Sequence, residues 1–140
     1  MSQHATAINQ YLSSMGIPAT LAPAPGAAGV MATVINHLGV NIGVFLIGDA
    51  ILLLEAGLGY PPAGNLLPFY RRLLVENSDL IGVAFCVKDQ DNSVAMRTSR
   101  QAAGLDAEEF KSMIEGMAAA VHRTAVQVAQ EFPFQQRPAA

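Results

Sequence analysis

Residues Val30 to Gly57 read VMATVINHLGVNIGVFLIGDAILLLEAG, with glycine at 39, 48 and 57. Between those glycines lie the runs Val30–Leu38, Asn41–Ile47 and Ala50–Ala56, rich in the Val, Ile, Leu and Phe side chains that suit a pleated surface. Short β-type runs separated by Gly-containing turns describe an antiparallel meander. The middle run, Ile42-Gly43-Val44-Phe45-Leu46-Ile47, is apolar at both alternating sets of positions. An antiparallel sheet usually keeps one face wet, so this run predicts burial on both sides and a second layer to cover it.

Toward the N-terminus, Ser2 is a cap for a short helix carrying Ile8, Leu12 and Met15 on one face. Gly16 and Pro18 stop it. Residues 18–29, PATLAPAPGAAG, have no periodicity and read as an Ala/Pro/Gly loop. Beyond the meander, Pro61-Pro62 lead to a second helix with Asn65 as N-cap and Pro68 in its first turn. Leu66, Phe69, Tyr70, Leu73 and Leu74 form its apolar stripe, and Asn77 suits a left-handed C-terminal residue.

Two more strands follow, Ile81–Lys88 and Val94–Arg100, joined by the turn Asp89–Ser93. In the second, Val94, Met96 and Thr98 alternate with Ala95, Arg97 and Ser99, the pattern of a half-buried hairpin. The last helix opens on Asp106 with Glu109 three residues on, a capping-box-like start. Its seam is Phe110, Ile114, Met117, Val121, Thr124, Val128 and Phe132. The order α-βββ-α-ββ-α, with strands grouped consecutively, predicts an α+β fold: a mostly antiparallel sheet with helices packed on it. The expected organisation is one domain over residues 1–132 and a flexible tail over 133–140.

Composition narrows the function. Apolar residues make up 51% of the chain and charged residues 14%, the opposite of a disordered composition. Before Arg71 there is no Lys or Arg, only Asp49 and Glu55, and the net charge is −3. Phosphate backbones are bound by clustered cations, so no nucleic-acid partner is expected. The longest apolar window, Val40–Leu58, is interrupted by Asn41, Asp49, Glu55 and three glycines. A spanning helix needs about 20 largely apolar residues, so no membrane segment is expected either. The N-terminal Met1-Ser2-Gln3-His4 lacks the basic start of a secretory signal, and the lone Cys86 fits a reducing, cytoplasmic setting.

The catalytic motifs fail one by one. Cys86 sits between Phe85 and Val87 in a strand, where a small buried side chain is expected rather than a nucleophile. His4, His37 and His122 have no partner at ligand spacing, so no metal is expected. Asp89-x-Asp91-x-Ser93 opens like a calcium loop, but Val94 and Arg100 occupy the positions that need Gly and Glu. Gly26-Ala27-Ala28-Gly29 has no strand before it and no Lys-Ser/Thr after it. Glu108-Glu109 stand in a first helical turn, where acids favour the dipole. No catalytic residue and no cofactor are predicted. The remaining signal is apolar surface, with Leu66, Phe69, Tyr70 and Leu73 as the candidate dimer or partner surface and Phe69 and Tyr70 as its anchors.

The stretch NLLPFYRRLLVENSDL, followed by GVAFCVKDQ, a DN turn, SVAMRTSR and LDAEEFKSMIEGM, resembles the type III secretion chaperone-like proteins, and within them the YbjN-type bacterial regulators. The resemblance implies a small acidic cytoplasmic homodimer whose secretion members hold an unfolded stretch of another protein against apolar patches. It carries no residue roles across. The expected function is therefore a non-catalytic, chaperone-like protein-binding module, with another protein and a second copy of itself as partners. A structural or regulatory oligomer component without an unfolded client is the alternative, and an unrecognised enzyme the second alternative.

Overall fold

The computed structural model describes residues 2–138. Helix α1 (Gln3–Ser14) precedes a two-residue strand β1 (Ala22–Pro23) and the meander β2 (Val30–His37), β3 (Val40–Ile47) and β4 (Ile51–Gly59). Helix α2 (Leu66–Asp79), the hairpin β5 (Ala84–Val87) and β6 (Val94–Gln101), and a long C-terminal helix complete the chain. That last helix runs as α3 (Ala107–Ala120), a π-helical turn over Val121–Ala125, and α4 (Val126–Glu131). The strands form one sheet in the order β1-β2-β3-β4-β6-β5, antiparallel throughout.

Local chemistry explains most of these boundaries. The β2–β3 hairpin turns on Leu38 and Gly39, both at positive φ (53° and 81°), which is the two-residue turn whose twist matches the flanking strands. The Ser2 hydroxyl oxygen accepts from the Ala5 amide at 3.0 Å, and the Asp106 carboxylate accepts from the Glu109 amide at 2.8 Å, so two of the three expected N-caps are made. The core is one cluster: Ile8 and Leu12 of α1, Ile42, Val44, Leu46, Leu52, Leu54 and Met96 of the sheet, and Phe110, Ile114 and Met117 of α3. The π turn inserts a residue into the last helix and brings both Thr124 and Ala125 inward, with Val121 and Phe132 half-buried at the seam's edge.

Several local expectations are revised. The 18–29 segment is not wholly a loop: Ala22 and Pro23 pair with Ala32 and Met31 of β2, and the Asn9 side chain holds it by accepting from the Leu21 amide at 2.8 Å. Strand β5 begins at Ala84, not Ile81, because Gly82 turns the chain at φ +80° and leaves Ile81 96% exposed. Asn65 stands at the start of α2 at φ 58°, but its side chain caps nothing. Asn77 does not end that helix. It lies within α2, and its amide group accepts from the Phe85 amide (2.7 Å) and donates to the Phe85 carbonyl (3.1 Å), acting as a strand substitute at the free edge of β5.

Phe134 and Gln135 are anchored where the 133–140 segment was expected to be loose. Gln135 and Tyr60 exchange both backbone hydrogen bonds, at 2.8 and 2.9 Å, and Phe132 and Phe134 both pack on Phe69 with ring centroids 5.9 Å away. Gly59 makes the approach possible: its φ is +118°, and a Cβ there would lie 2.6 Å from the Gln135 carbonyl oxygen. Residues 139–140 of the expected tail lie outside the described residues.

Candidate functional site

The two faces of the sheet have different fates. Side chains of one parity (Val40, Ile42, Val44 and Leu46 of β3, Leu52 and Leu54 of β4, Val94 and Met96 of β6) are all buried beneath the helices. The other parity is set by the register. Val34 pairs with Gly43 and Gly43 with Glu55; Ala32 pairs with Phe45 and Phe45 with Leu53; Val30 pairs with Ile47 and Ile47 with Ile51. No helix of the described residues covers this side. Val34 is 67% exposed, Ile47 and Ile51 are exposed, and Phe45 and Leu53 are half-buried. Among the described residues nothing supplies the layer that the apolar run predicts for this second face. Phe45 partly serves in its place, since its ring lies over Gly43, where a Cβ would meet Cε2 at 2.6 Å.

Toward β6 and β5 the same face turns polar. Glu55 is the register partner of Arg97. One of its carboxylate oxygens accepts from Lys88 Nζ at 2.9 Å and the other from Arg97 Nε at 2.7 Å. Burial pushes the Glu55 pKa up, but hydrogen bonds and charge from Lys88 and Arg97 outweigh that and hold it below the usual carboxylate range. Cys86 lies beside this cluster. Burial, above all, raises its thiol pKa, so the thiolate that nucleophilic chemistry requires is disfavoured.

Helix α2 also has two apolar faces, and the structure separates the predicted surface residues between them. Phe69 and Leu73 belong to the core of the chain itself, and Tyr70 is half-buried against Phe69 with ring centroids 5.3 Å apart. Leu66 is exposed. The outward face carries Leu67 (80% exposed), Leu74 (71% exposed) and Val75; the stripe drawn from sequence puts Leu74 with the inward residues and passes over Leu67 and Val75. The signal was available: a helix whose apolar residues occupy two opposite stripes has one stripe too many for a single core.

The remaining candidates are local structure. The ring of His122 donates from Nε2 to the Leu38 carbonyl at 2.8 Å, tying the π turn to the β2–β3 hairpin. Asp91 accepts from the Ser93 amide and hydroxyl, as a hairpin turn requires. Glu109 pairs with Arg100. A cavity of about 740 Å³ lies between Ser2 and the 23–31 segment, walled mainly by Pro23, Ala24, Ala27, Ala28 and Met31, with Asp49 its one charged neighbour. An active site needs several polar groups converging on one point, and this cavity does not provide them. Among the described residues no group of three His, Cys, Asp or Glu side chains could hold a metal, and no helix is long and apolar enough to cross a membrane.

The comparisons with known proteins find the same α+β fold. The CesT_Tir_1 family model matches residues 1–130. The chain belongs to this family of type III secretion chaperones. Solved structures with the same fold include a chain of the heterodimeric ExoU–SpcU complex from the type III secretion system of Pseudomonas aeruginosa, with TM-score 0.65, 17% identity, and coverage of 86% of this chain and 96% of that one. A chain of the ExsC–ExsE complex matches with TM-score 0.63, 18% identity and coverage of 91% and 95%. YbjN from E. coli matches with TM-score 0.65, 14% identity and coverage of 91% and 93%. No curated protein sequence matches the chain. The CesT_Tir_1 fold and the YbjN likeness agree with the resemblance carried by residues 65–131.

Proposed function

We propose that this CesT_Tir_1 protein is a non-catalytic, cytoplasmic binding module that holds or regulates another protein against the open face of its sheet. The observation that carries the reading is the contiguous apolar surface of Val34, Phe45, Ile47, Ile51 and Leu53, which no element of the described chain covers. Large exposed apolar patches on a well-packed domain mark interaction sites. Chains of the same fold occur in the ExoU–SpcU and ExsC–ExsE complexes, which supports the same class of function. The test is recovery of a bound protein from the source cells. The wild type should co-purify with a defined partner and shield it from protease. Val34→Lys with Ile51→Lys should lose that partner while Lys111→Ala keeps it. Equal recovery by the double variant would overturn this surface.

The outer face of α2 supports self-association as a second use of apolar area. Leu67, Leu74 and Val75 lie on a helix opposite the residues that anchor it to the core, and two-fold pairing is the commonest closed arrangement of identical chains. A homodimer through this face replaces the surface centred on Phe69. In sedimentation equilibrium at micromolar concentration, the wild type should show twice the chain mass and Leu67→Asp/Leu74→Asp the single mass. A monomeric wild type would refute the dimer.

A further inference from the structure

The open face has an apolar end and a cationic end, and the cationic end is incompletely satisfied. Glu55 brings one negative charge against the two positive charges of Lys88 and Arg97. Both of its oxygens are engaged, one by each partner. Arg97 uses only Nε for this contact, and its two terminal nitrogens have no hydrogen-bond acceptor among the described residues. Its side chain is 41% exposed, whereas the Glu55 side chain is 12% exposed. A guanidinium presents five donors in a planar fork that matches a carboxylate with two parallel bonds. The unused end of that fork faces the same side of the sheet as Phe45 and Leu53.

The register sets the spacing. Arg97, Glu55, Gly43 and Val34 form one row across the strands, and Ser99, Leu53, Phe45 and Ala32 form the next. With strands about 4.8 Å apart and a rise of about 3.4 Å per residue, Arg97 lies roughly 8 Å from Leu53 along the diagonal. An extended peptide covers about that distance in two to three residues. We propose that Arg97 is a carboxylate-binding residue at the end of the open face, and that the partner segment it selects is extended and apolar with Asp or Glu two or three residues beyond its apolar anchor. This inference rests on the open face being the partner surface. Arg97 contributes register and selectivity, while the apolar rows contribute the contact area.

The test uses fluorescence anisotropy with the whole chain and two labelled peptides of sequence Gly-Ser-Leu-Ala-Ile-Ala-X-Gly-Ser, X being Glu or Lys. The Glu peptide should bind about tenfold more tightly, the size of one exposed charge-assisted hydrogen-bonded pair, and the margin should shrink with added salt. Arg97→Gln should erase the preference, weakening the Glu peptide and relieving the repulsion of the Lys peptide. Glu55→Gln frees both cations and should strengthen binding of the Glu peptide, an effect opposite in sign to any loss of folding. Equal affinity of the two peptides, with both lost in Val34→Lys, would overturn the carboxylate site and leave the partner surface standing. Absence of binding by either peptide would overturn both. A preference unchanged in Arg97→Gln, or unchanged in Glu55→Gln, would overturn the assignment of Arg97.

Discussion

One face of the sheet is covered by helices and the other is bare, yet along β3 both are largely apolar. Ile42, Val44 and Leu46 alternate along β3 with Gly43, Phe45 and Ile47, and the second set carries no polar side chain either. Only the first set disappears beneath α1 and α3. Hydrophobicity in a sequence records that a surface leaves water and does not say what covers it. Helix α2 repeats the contrast, with Phe69 and Leu73 turned inward and Leu67 and Leu74 turned out. In both elements the extra apolar stripe is a candidate for a second polypeptide.

The contrast is sharpest on α2. Phe69→Ala should cost about 3–5 kcal/mol, the usual range for emptying a buried aromatic site, because its ring is fully buried and touches Tyr70, Phe132 and Phe134. Leu67→Ala, measured at a concentration low enough to keep the chain monomeric, should stay within about 0.5 kcal/mol. Urea unfolding followed by circular dichroism reads both. Equal losses would mean that the two faces of α2 are not distinct.

Across the sheet the same comparison should be slightly smaller. Ile114→Ala removes a buried side chain from the layer that covers the sheet and should cost about 2–5 kcal/mol. Val34→Ala on the bare face should fall within about 0.5 kcal/mol in the absence of a partner. Thermal unfolding of the two variants separates them. A large loss at Val34 would indicate that the open face is packed in solution, most simply by a second copy.

How far the sequence carried this fold follows from what each signal measures. The meander was legible because glycines punctuate β-branched runs, and α3 because its caps and seam agree. The N-cap of α1 was legible in Ser2 alone. Missed features depend on tertiary partners: β1 forms only because β2 offers its edge, the π turn has no sequence mark, and Gln135 is fixed only once Gly59 lets it approach Tyr60. Asn77 looked like a helix terminator and instead binds the edge of β5, a partner eight residues away that composition does not reveal. The candidate surface was half legible. Apolar excess was visible, but Leu66, Phe69, Tyr70 and Leu73 were chosen as one stripe, and helix geometry puts the free stripe on the other side. The ion cluster was hidden altogether, because register pairs Glu55 of β4 with Arg97 of β6 and the chain just past β5 adds Lys88.

That cluster gives the smallest expected effect, and its sign can be stated. The folded-state pKa of Glu55 lies below its ordinary value of about 4.3. Between the two values the unfolded chain binds more protons, so stability rises with pH there. The contribution is complete above the ordinary value and is lost as pH falls through the depressed folded value. Glu55→Gln should therefore flatten the acid limb of stability against pH below about 4.3, measured by urea titrations at stepped pH. An unchanged acid limb would show that the pairing with Lys88 and Arg97 has no energetic weight.

The most direct measurement is site-specific photocrosslinking in the source cells, with the photoreactive residue placed at Val34, at Ile51, or at Lys111 on the exposed side of α3. The open-face reading predicts one common crosslinked protein from Val34 and Ile51 and none from Lys111. Crosslinks from Lys111 alone, or none from the two sheet positions, would contradict it.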